Sequence, residues 1–255
     1  MSPRPYLLNE ANWKTVKEQN YDIAILPWGA TEAHNYHLPY ATDNIQSEYI
    51  AQESARIAWE KGAGVMVLPV IPFGVNTGQL DIKFTVNMNP STQTRVLRDV
   101  IYSLSTQNIN KLVILNGHGG NNFIPVIREL QPQFPNIFLC TINWYEMADL
   151  REYFSDTGEH GSEMETSNML FIAPELVLLL SEAGEGNAKK FKLKGIKEGW
   201  VWAQREWTKV SKDTGIGNPA EASLEKGTRY LKDITEKIAE FLIELAETRI
   251  ENLYE

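Results

Sequence analysis

Residues 23–43 read Ile-Ala-Ile-Leu-Pro-Trp-Gly-Ala-Thr-Glu-Ala-His-Asn-Tyr-His-Leu-Pro-Tyr-Ala-Thr-Asp. Ile23–Trp28 is a short apolar run closed by Pro-Trp-Gly, the pattern of a buried strand that empties into a loop. Gly29–Asp43 is rich in polar and ring residues and reads as a functional loop. Working outward, residues 44–61 read as a helix punctuated by Gly62 and Gly64. Residues 65–71 form a second apolar run, broken by Pro69 and Pro72. Residues 73–89 are irregular. Residues 91–108 are helical, with Val96, Leu97, Val100, Ile101 and Leu104 on one stripe. The short strand 112–115 runs at once into Asn116-Gly-His-Gly-Gly-Asn121, and a helix over 123–130 and a strand over 137–142 follow. Strands alternating with helices predict an α/β fold with a largely parallel sheet covered on both faces. In such sheets ligands sit beyond the carboxyl ends of the strands, where the loops after Trp28 and Leu115 both fall.

The C-terminal part opens with a Gly/Pro-punctuated loop over residues 215–227. A helix follows in which Leu231, Ile234, Ile238, Phe241 and Leu245 recur at three- and four-residue spacing. That stripe packs either into the core or against another subunit. There is no internal repeat and no low-complexity segment.

The chain has 255 residues and a 43% hydrophobic composition, which fits one large domain spanning 1–255. Its net charge of -9 argues against non-specific nucleic-acid binding, which needs a basic face. A lone Cys140 cannot form an internal disulfide and reads as a buried core thiol. No stretch is apolar enough to span a bilayer, and residues 1–20 hold no signal-peptide core. The expected setting is the cytoplasm, with no membrane partner.

The four histidines are His34, His37, His118 and His160. Each lies within two residues of a carboxylate, in a Gly/Asn-rich turn after a strand, or close to such a segment. Imidazole with carboxylate is the ligand set for Zn, Mn or Fe(II). In Glu32-Ala-His34 a sharp turn could aim both side chains at one centre or at two adjacent ones. Gly119 and Gly120 could instead cradle a phosphate at a helix start, but neither GxGxxG nor a Walker lysine accompanies them. Trp200, Trp202 and Trp207 read best as core packing, with a substrate wall or subunit contact as the alternatives.

Four blocks resemble the creatininase family in its motif order. Residues 26–39 with Thr42-Asp43 resemble Gly-x-x-Glu-x-His-x-x-His-Leu-Pro followed by Thr-Asp. Asn116-Gly-His-Gly-Gly-Asn121 resembles the second motif. Glu159-His160-Gly161 with Glu163-Met-Glu-Thr-Ser167 resembles the third. Gly217-Asn-Pro219 with Ala222 and Glu225-Lys-Gly227 resembles the fourth. The resemblance implies a three-layer α/β/α sandwich and two divalent ions per chain, Zn first and Mn or Fe next. It also implies a small-molecule substrate and a homo-oligomer such as a hexamer. By analogy Glu32 binds one metal, His34 the other, Asp43 bridges both, and His118 ligates the Glu32-side metal. Creatininases proper carry a metal-binding glutamate two residues after that last histidine. This chain has Gly120 there, so Glu165, the nearest motif carboxylate left over, is expected to fill the place. Creatininases proper also set a tryptophan lid shortly before the Glu-His pair, where this chain has Tyr153 and Phe154. Both departures argue against creatinine itself.

The expected chemistry is attack by a metal-activated water on the C–N bond of a small cyclic amide or formamide-type substrate. His160, set beside Glu159, would carry the proton to the departing nitrogen, with the Glu159 carboxylate favouring the charged imidazole. His37 is expected to support a ligand rather than bind metal. The alternatives are a metal-dependent peptidase or modified-peptide-processing enzyme of the same fold, and a non-catalytic metal-binding assembly protein.

Overall fold

A computed structural model describes residues 3–254. Among them are strands β1 (Ile23–Trp28), β2 (Val65–Val67), β3 (Lys111–Asn116) and β4 (Phe138–Asn143). The helices are α1 (Trp13–Lys17), α2 (Thr42–Glu60), α3 (Pro90–Thr106), α4 (Phe123–Leu130), α5 (Glu163–Ile172), α6 (Lys194–Lys197), α7 (Trp207–Val210) and α8 (Leu224–Glu247). The sheet is wholly parallel, in the order β2-β1-β3-β4. β1 and β3 are buried at every position, which is why they read as unbroken apolar runs rather than alternating ones.

Alternate strand residues feed two helical layers. Ile23, Ile25, Val113 and Leu115 pack with Ile50, Ala51 and Ala55 of α2 and with Leu231, Ile234 and Ile238 of α8. Ala24, Leu26, Trp28, Leu112 and Ile114 pack with Leu97 and Ile101 of α3 and with Phe123 and Val126 of α4. The result is the expected three-layer α/β/α sandwich. From β1 the chain steps outward to β2 over α2, then back across to β3 over α3 on the other face. Right-handed crossovers running in opposite directions require those opposite faces. The reversal puts β1 beside β3, and their carboxyl ends form the crevice in which open α/β sheets bind ligands.

Three details depart from the sequence expectations, and another, the third below, decides between two placements they left open. First, α2 begins at Thr42 rather than at 44, so Asp43 lies in its first turn. The helix dipole favours a carboxylate there. Second, β2 is only three residues long, because Pro69 and Pro72 interrupt the ladder beyond Val67. Third, the C-terminal stripe faces the core and is not left for another subunit. Leu231, Ile234, Ile238 and Leu245 are buried with Leu242, and Phe241 packs against them. Fourth, Gly227 lies inside α8 rather than in the loop before it. A Cβ there would stand 2.1 Å from the Ser167 carbonyl oxygen of α5, so glycine sets how closely the two helices cross.

Lys111 is buried at the start of β3 and donates to the Leu245 carbonyl at 2.7 Å, capping the C-terminal end of α8. Cys140 is half-buried against the α2–α8 layer, and burial pushes its thiol up to about 12. No described helix is long and apolar enough to cross a membrane.

Candidate metal centre

The β1 loop delivers Glu32 and His34, the first turn of α2 delivers Asp43, and the β3 loop delivers His118. His160 enters from the segment before α5 and is fixed by paired backbone hydrogen bonds with Ile216. Glu165 sits in the first turn of α5. All six are 7% exposed or less. Asp43 stands at the middle. Its Oδ1 lies 2.9 Å from His34 Nε2, and its Oδ2 lies 3.1 Å from His118 Nδ1. Glu32 Oε1 is 2.8 Å from His118 Nδ1, and Glu165 Oε1 is 3.6 Å from His34 Nε2. Two three-ligand groups therefore share Asp43: Glu32–Asp43–His118 and His34–Asp43–Glu165. A third combination joins Glu32, His34 and His160, but His160 Nδ1 stands farther off, 3.9 Å from Glu32 Oε1.

Each of these histidines has its other ring nitrogen on a backbone carbonyl. His34 Nδ1 meets the Glu32 carbonyl, His118 Nε2 that of Val75, and His160 Nε2 that of Ala33. A carbonyl can only accept, so those nitrogens carry the protons and the inward nitrogens offer lone pairs. The inward nitrogens of His34 and His118 face carboxylates, so acceptor faces acceptor. Glu32 Oε1 and Asp43 Oδ2, both fully buried, receive no hydrogen bond. Such an arrangement calls for positive charge at its centre, from a divalent ion or from a second proton on each ring. The electrostatics show the same demand for positive charge. Burial opposes charge on His34 and His118, yet Asp43 and Glu165 beside the first, and Glu32 and Asp43 beside the second, raise both imidazoles well above the usual value. The residues present fit divalent metal ions of the imidazole- and carboxylate-binding kind.

The surrounding shell comes partly from the motif blocks themselves and partly from residues 75–79, which carry no motif. Gln79, in the 3-10 turn Thr77–Gln79, donates to Glu32 Oε2. Asn116 Oδ1 accepts from the His118 amide at 3.2 Å and from Asn121 Nδ2 at 3.0 Å, which pins the β3 loop. Gly161 adopts φ +56 and donates to Glu165 Oε2 at 2.5 Å, turning Oε1 toward His34. His37 joins neither group. Its Nε2 meets Thr166 Oγ1 at 2.8 Å, next to Glu165, and burial lowers the imidazole to about 4. Gly120 does more than omit a ligand. A Cβ there would lie 2.3 Å from the Val75 carbonyl oxygen and 2.4 Å from His118 Nε2, the two atoms whose hydrogen bond orients His118.

Two expectations about the catalytic side are corrected. Glu159 does not pair with His160. It is exposed and meets Arg205 Nη1 at 2.8 Å. The two side chains diverge at the bend before α5, and among the described residues the carboxylate nearest His160 is Glu32. His160 is accordingly lowered rather than raised, by burial first and by His34 second. The tryptophans are not core packing: Trp200 and Trp202 are 74% and 83% exposed. Trp207 sets its ring 4.7 Å from His160, which itself stacks on His34 at 4.0 Å. Tyr153 and Phe154 turn inward against Tyr230. A cavity of about 380 Å³ opens above the centre, walled by Trp144, Tyr145, Glu146, Glu159, Arg205 and Trp207.

The family model for creatininase (creatinine amidohydrolase) matches residues 9–242. The chain belongs to the creatininase family of amidohydrolases, hydrolases acting on C–N bonds. It is similar to the putative creatinine amidohydrolase of Bacteroides fragilis NCTC 9343, with 42% identity and a TM-score of 0.93 over 98% of this chain and 99% of that one. It is 25% identical to the creatinine amidohydrolase of Pseudomonas putida over 176 residues, which are 61% of this chain and 66% of that protein, a little under two thirds. It is also 24% identical to the mycofactocin precursor peptide peptidase of Mycobacterium ulcerans (strain Agy99), over 83% and 81% of the two chains. Solved creatininases of a Zn-Zn type and with Mn share its fold at TM-scores of 0.78 and 0.77 and 21% and 22% identity.

Proposed function

We propose that the chain is a single-domain amidohydrolase, active as a homo-oligomer, that uses two divalent ions to cleave the C–N bond of a small cyclic amide or formamide. Zn is the first expected ion and Mn or Fe the next. The observation that carries this reading is Asp43, whose two oxygens face His34 and His118 separately. In this reading Glu32 and His118 would hold one ion, His34 and Glu165 the other, and Asp43 would serve both groups. Bound there, the ions supply Lewis acidity and a water acidic enough to act as nucleophile at neutral pH. His160 keeps its Nε2 proton on Ala33, which leaves Nδ1 to accept a proton and pass it to the departing nitrogen. Trp207 sets its tilted ring against that imidazole, with the ring centroids 4.7 Å apart. Gln79 holds Glu32 from behind, and His37 with Thr166 supports the helix turn that carries Glu165. Glu159 acts only through Arg205.

Creatinine is not the favoured substrate. Gly120 leaves no room for the glutamate of creatininases proper, and Tyr153 and Phe154 are committed to Tyr230. The similarity to a peptide-processing enzyme keeps a modified peptide as the second reading. The test is to strip the protein with chelator, reload it with Zn or Mn, and offer cyclic amides, formamides and short peptides. Metal-dependent turnover of the first two classes supports the proposal. Turnover of peptides alone selects the second reading, and a fully loaded protein inert to all three would favour the non-catalytic binding reading.

A further inference from the structure

We infer that Arg205 is the specificity-determining residue of the cavity and selects substrates that carry a carboxylate on the side away from the scissile bond. This rests on the amidohydrolase reading above, because it assumes that the reacting bond lies at the six-residue centre. Among the described residues, Arg205 is the only arginine or lysine lining the cavity above that centre. It is also the only one lining the smaller cavity of about 180 Å³ beside it, which shares His118, Gly120 and Trp207. Its guanidinium lies 5.3 Å from the Trp207 ring centroid, and Trp207 leans on His160. The cation therefore stands on the same aromatic column as the imidazole at the reacting centre.

The segment that bears Arg205 is packed, not loose. Gly78 approaches it so closely that a Cβ there would lie 2.3 Å from the Arg205 carbonyl oxygen, and Thr208 donates to Asp81 at 2.5 Å. The partner of the guanidinium is the exposed carboxylate of Glu159, held by one nitrogen. That leaves donors of the planar fork free, and a fork of this kind is suited to a bidentate carboxylate. A substrate carboxylate would join or displace Glu159. The other rim acid, Glu146, accepts from Asn143 and does not touch Arg205. The three inner carboxylates, Glu32, Asp43 and Glu165, do not repel such a substrate once divalent ions neutralise them.

The experiment uses the metal-loaded full chain and measures binding by calorimetry. The probes are the monohydroxamates of malonate, succinate and glutarate, each paired with the neutral analogue in which the free carboxylate is an amide. The hydroxamate seats on the metals, and the series spans the unknown reach to Arg205. At least one acid should bind the wild-type protein about tenfold or more tighter than its amide, the weight of a charge-assisted contact. Arg205→Gln should abolish that preference while leaving the amide's affinity unchanged. Glu159→Gln, which keeps Arg205 in place, should raise the affinity of the acid and not of the amide. The inference is overturned if acid and amide bind the wild type alike, if the preference survives Arg205→Gln, or if none of the probes binds. A preserved acid preference in a protein that turns over no C–N substrate would leave the Arg205 site standing and remove the reaction. Turnover without any acid preference would do the opposite.

Discussion

Replacing Gly120 by alanine adds one methyl group at a poorly tolerated point beside the site. The new Cβ would fall 2.3 Å from the Val75 carbonyl oxygen and 2.4 Å from His118 Nε2, about 1 Å inside the 3.4 Å at which ordinary contact begins. Either the carbonyl or the ring must retreat by that amount, and the 3.1 Å hydrogen bond between them is lost. That bond fixes the tautomer that turns His118 Nδ1 toward Glu32 and Asp43. Removing an outer partner of a metal-binding histidine costs about 10–100-fold in metal affinity. Overpacking adds about 1–3 kcal/mol of instability. Gly119 is the internal control, because a Cβ there meets nothing within 4 Å. Competition of each variant with a chromophoric chelator, together with thermal melts, reads both effects. Gly120→Ala should bind one ion 10–100-fold more weakly and melt earlier, whereas Gly119→Ala should match wild type. Gly120→Glu should fare no better than Gly120→Ala, despite restoring the residue found in creatininases proper. Wild-type metal affinity in Gly120→Ala, or equal damage in Gly119→Ala, would refute the reasoning.

Asp43→Ala should lose both ions and activity together, measured by metal analysis and turnover on one preparation, since both groups depend on its carboxylate. Glu165→Ala should retain about half the metal, whereas His160→Ala should keep both ions and lower turnover by about a hundredfold or more. The exchanged result would make His160 the ligand, as the Glu32–His34–His160 combination allows. Gly227→Ala should destabilise the chain by about 1–3 kcal/mol in urea unfolding without changing metal content, because α5 and α8 must move apart at Ser167.

The sequence order of strands and polar loops was enough to place the site, because a parallel sheet that reverses direction leaves one crevice. β1 and β3 announced themselves as buried runs, and the helices over 91–108 and 123–130 were found to within two residues. Glu32, His34, Asp43, His118 and Glu165 do converge, although they were selected by motif resemblance rather than by any periodicity. What failed was side-chain direction. Adjacency in Glu159-His160 suggested a pair, but the two side chains diverge at the bend before α5, and Glu159 meets Arg205 across 46 positions. The tryptophans were misplaced because an aromatic cluster in a Gly- and charge-rich stretch carries no period to say which face is covered. Gln79 and Val75 were missed outright, and Trp207 was weighed as a substrate wall only as the alternative to core packing. A glutamine and a backbone carbonyl become part of a centre only through long-range packing. The one available hint was Gly78, whose missing Cβ permits the close approach of the segment bearing Arg205.

The central claim is that Asp43 joins two metal sites, and counting ions tests it most directly. The protein is dialysed to equilibrium against Zn or Mn and the bound metal is measured by elemental analysis. The account predicts two ions per chain in the wild type and none retained in Asp43→Ala. A wild type that binds no divalent ion, or an Asp43→Ala variant that keeps both, would contradict it.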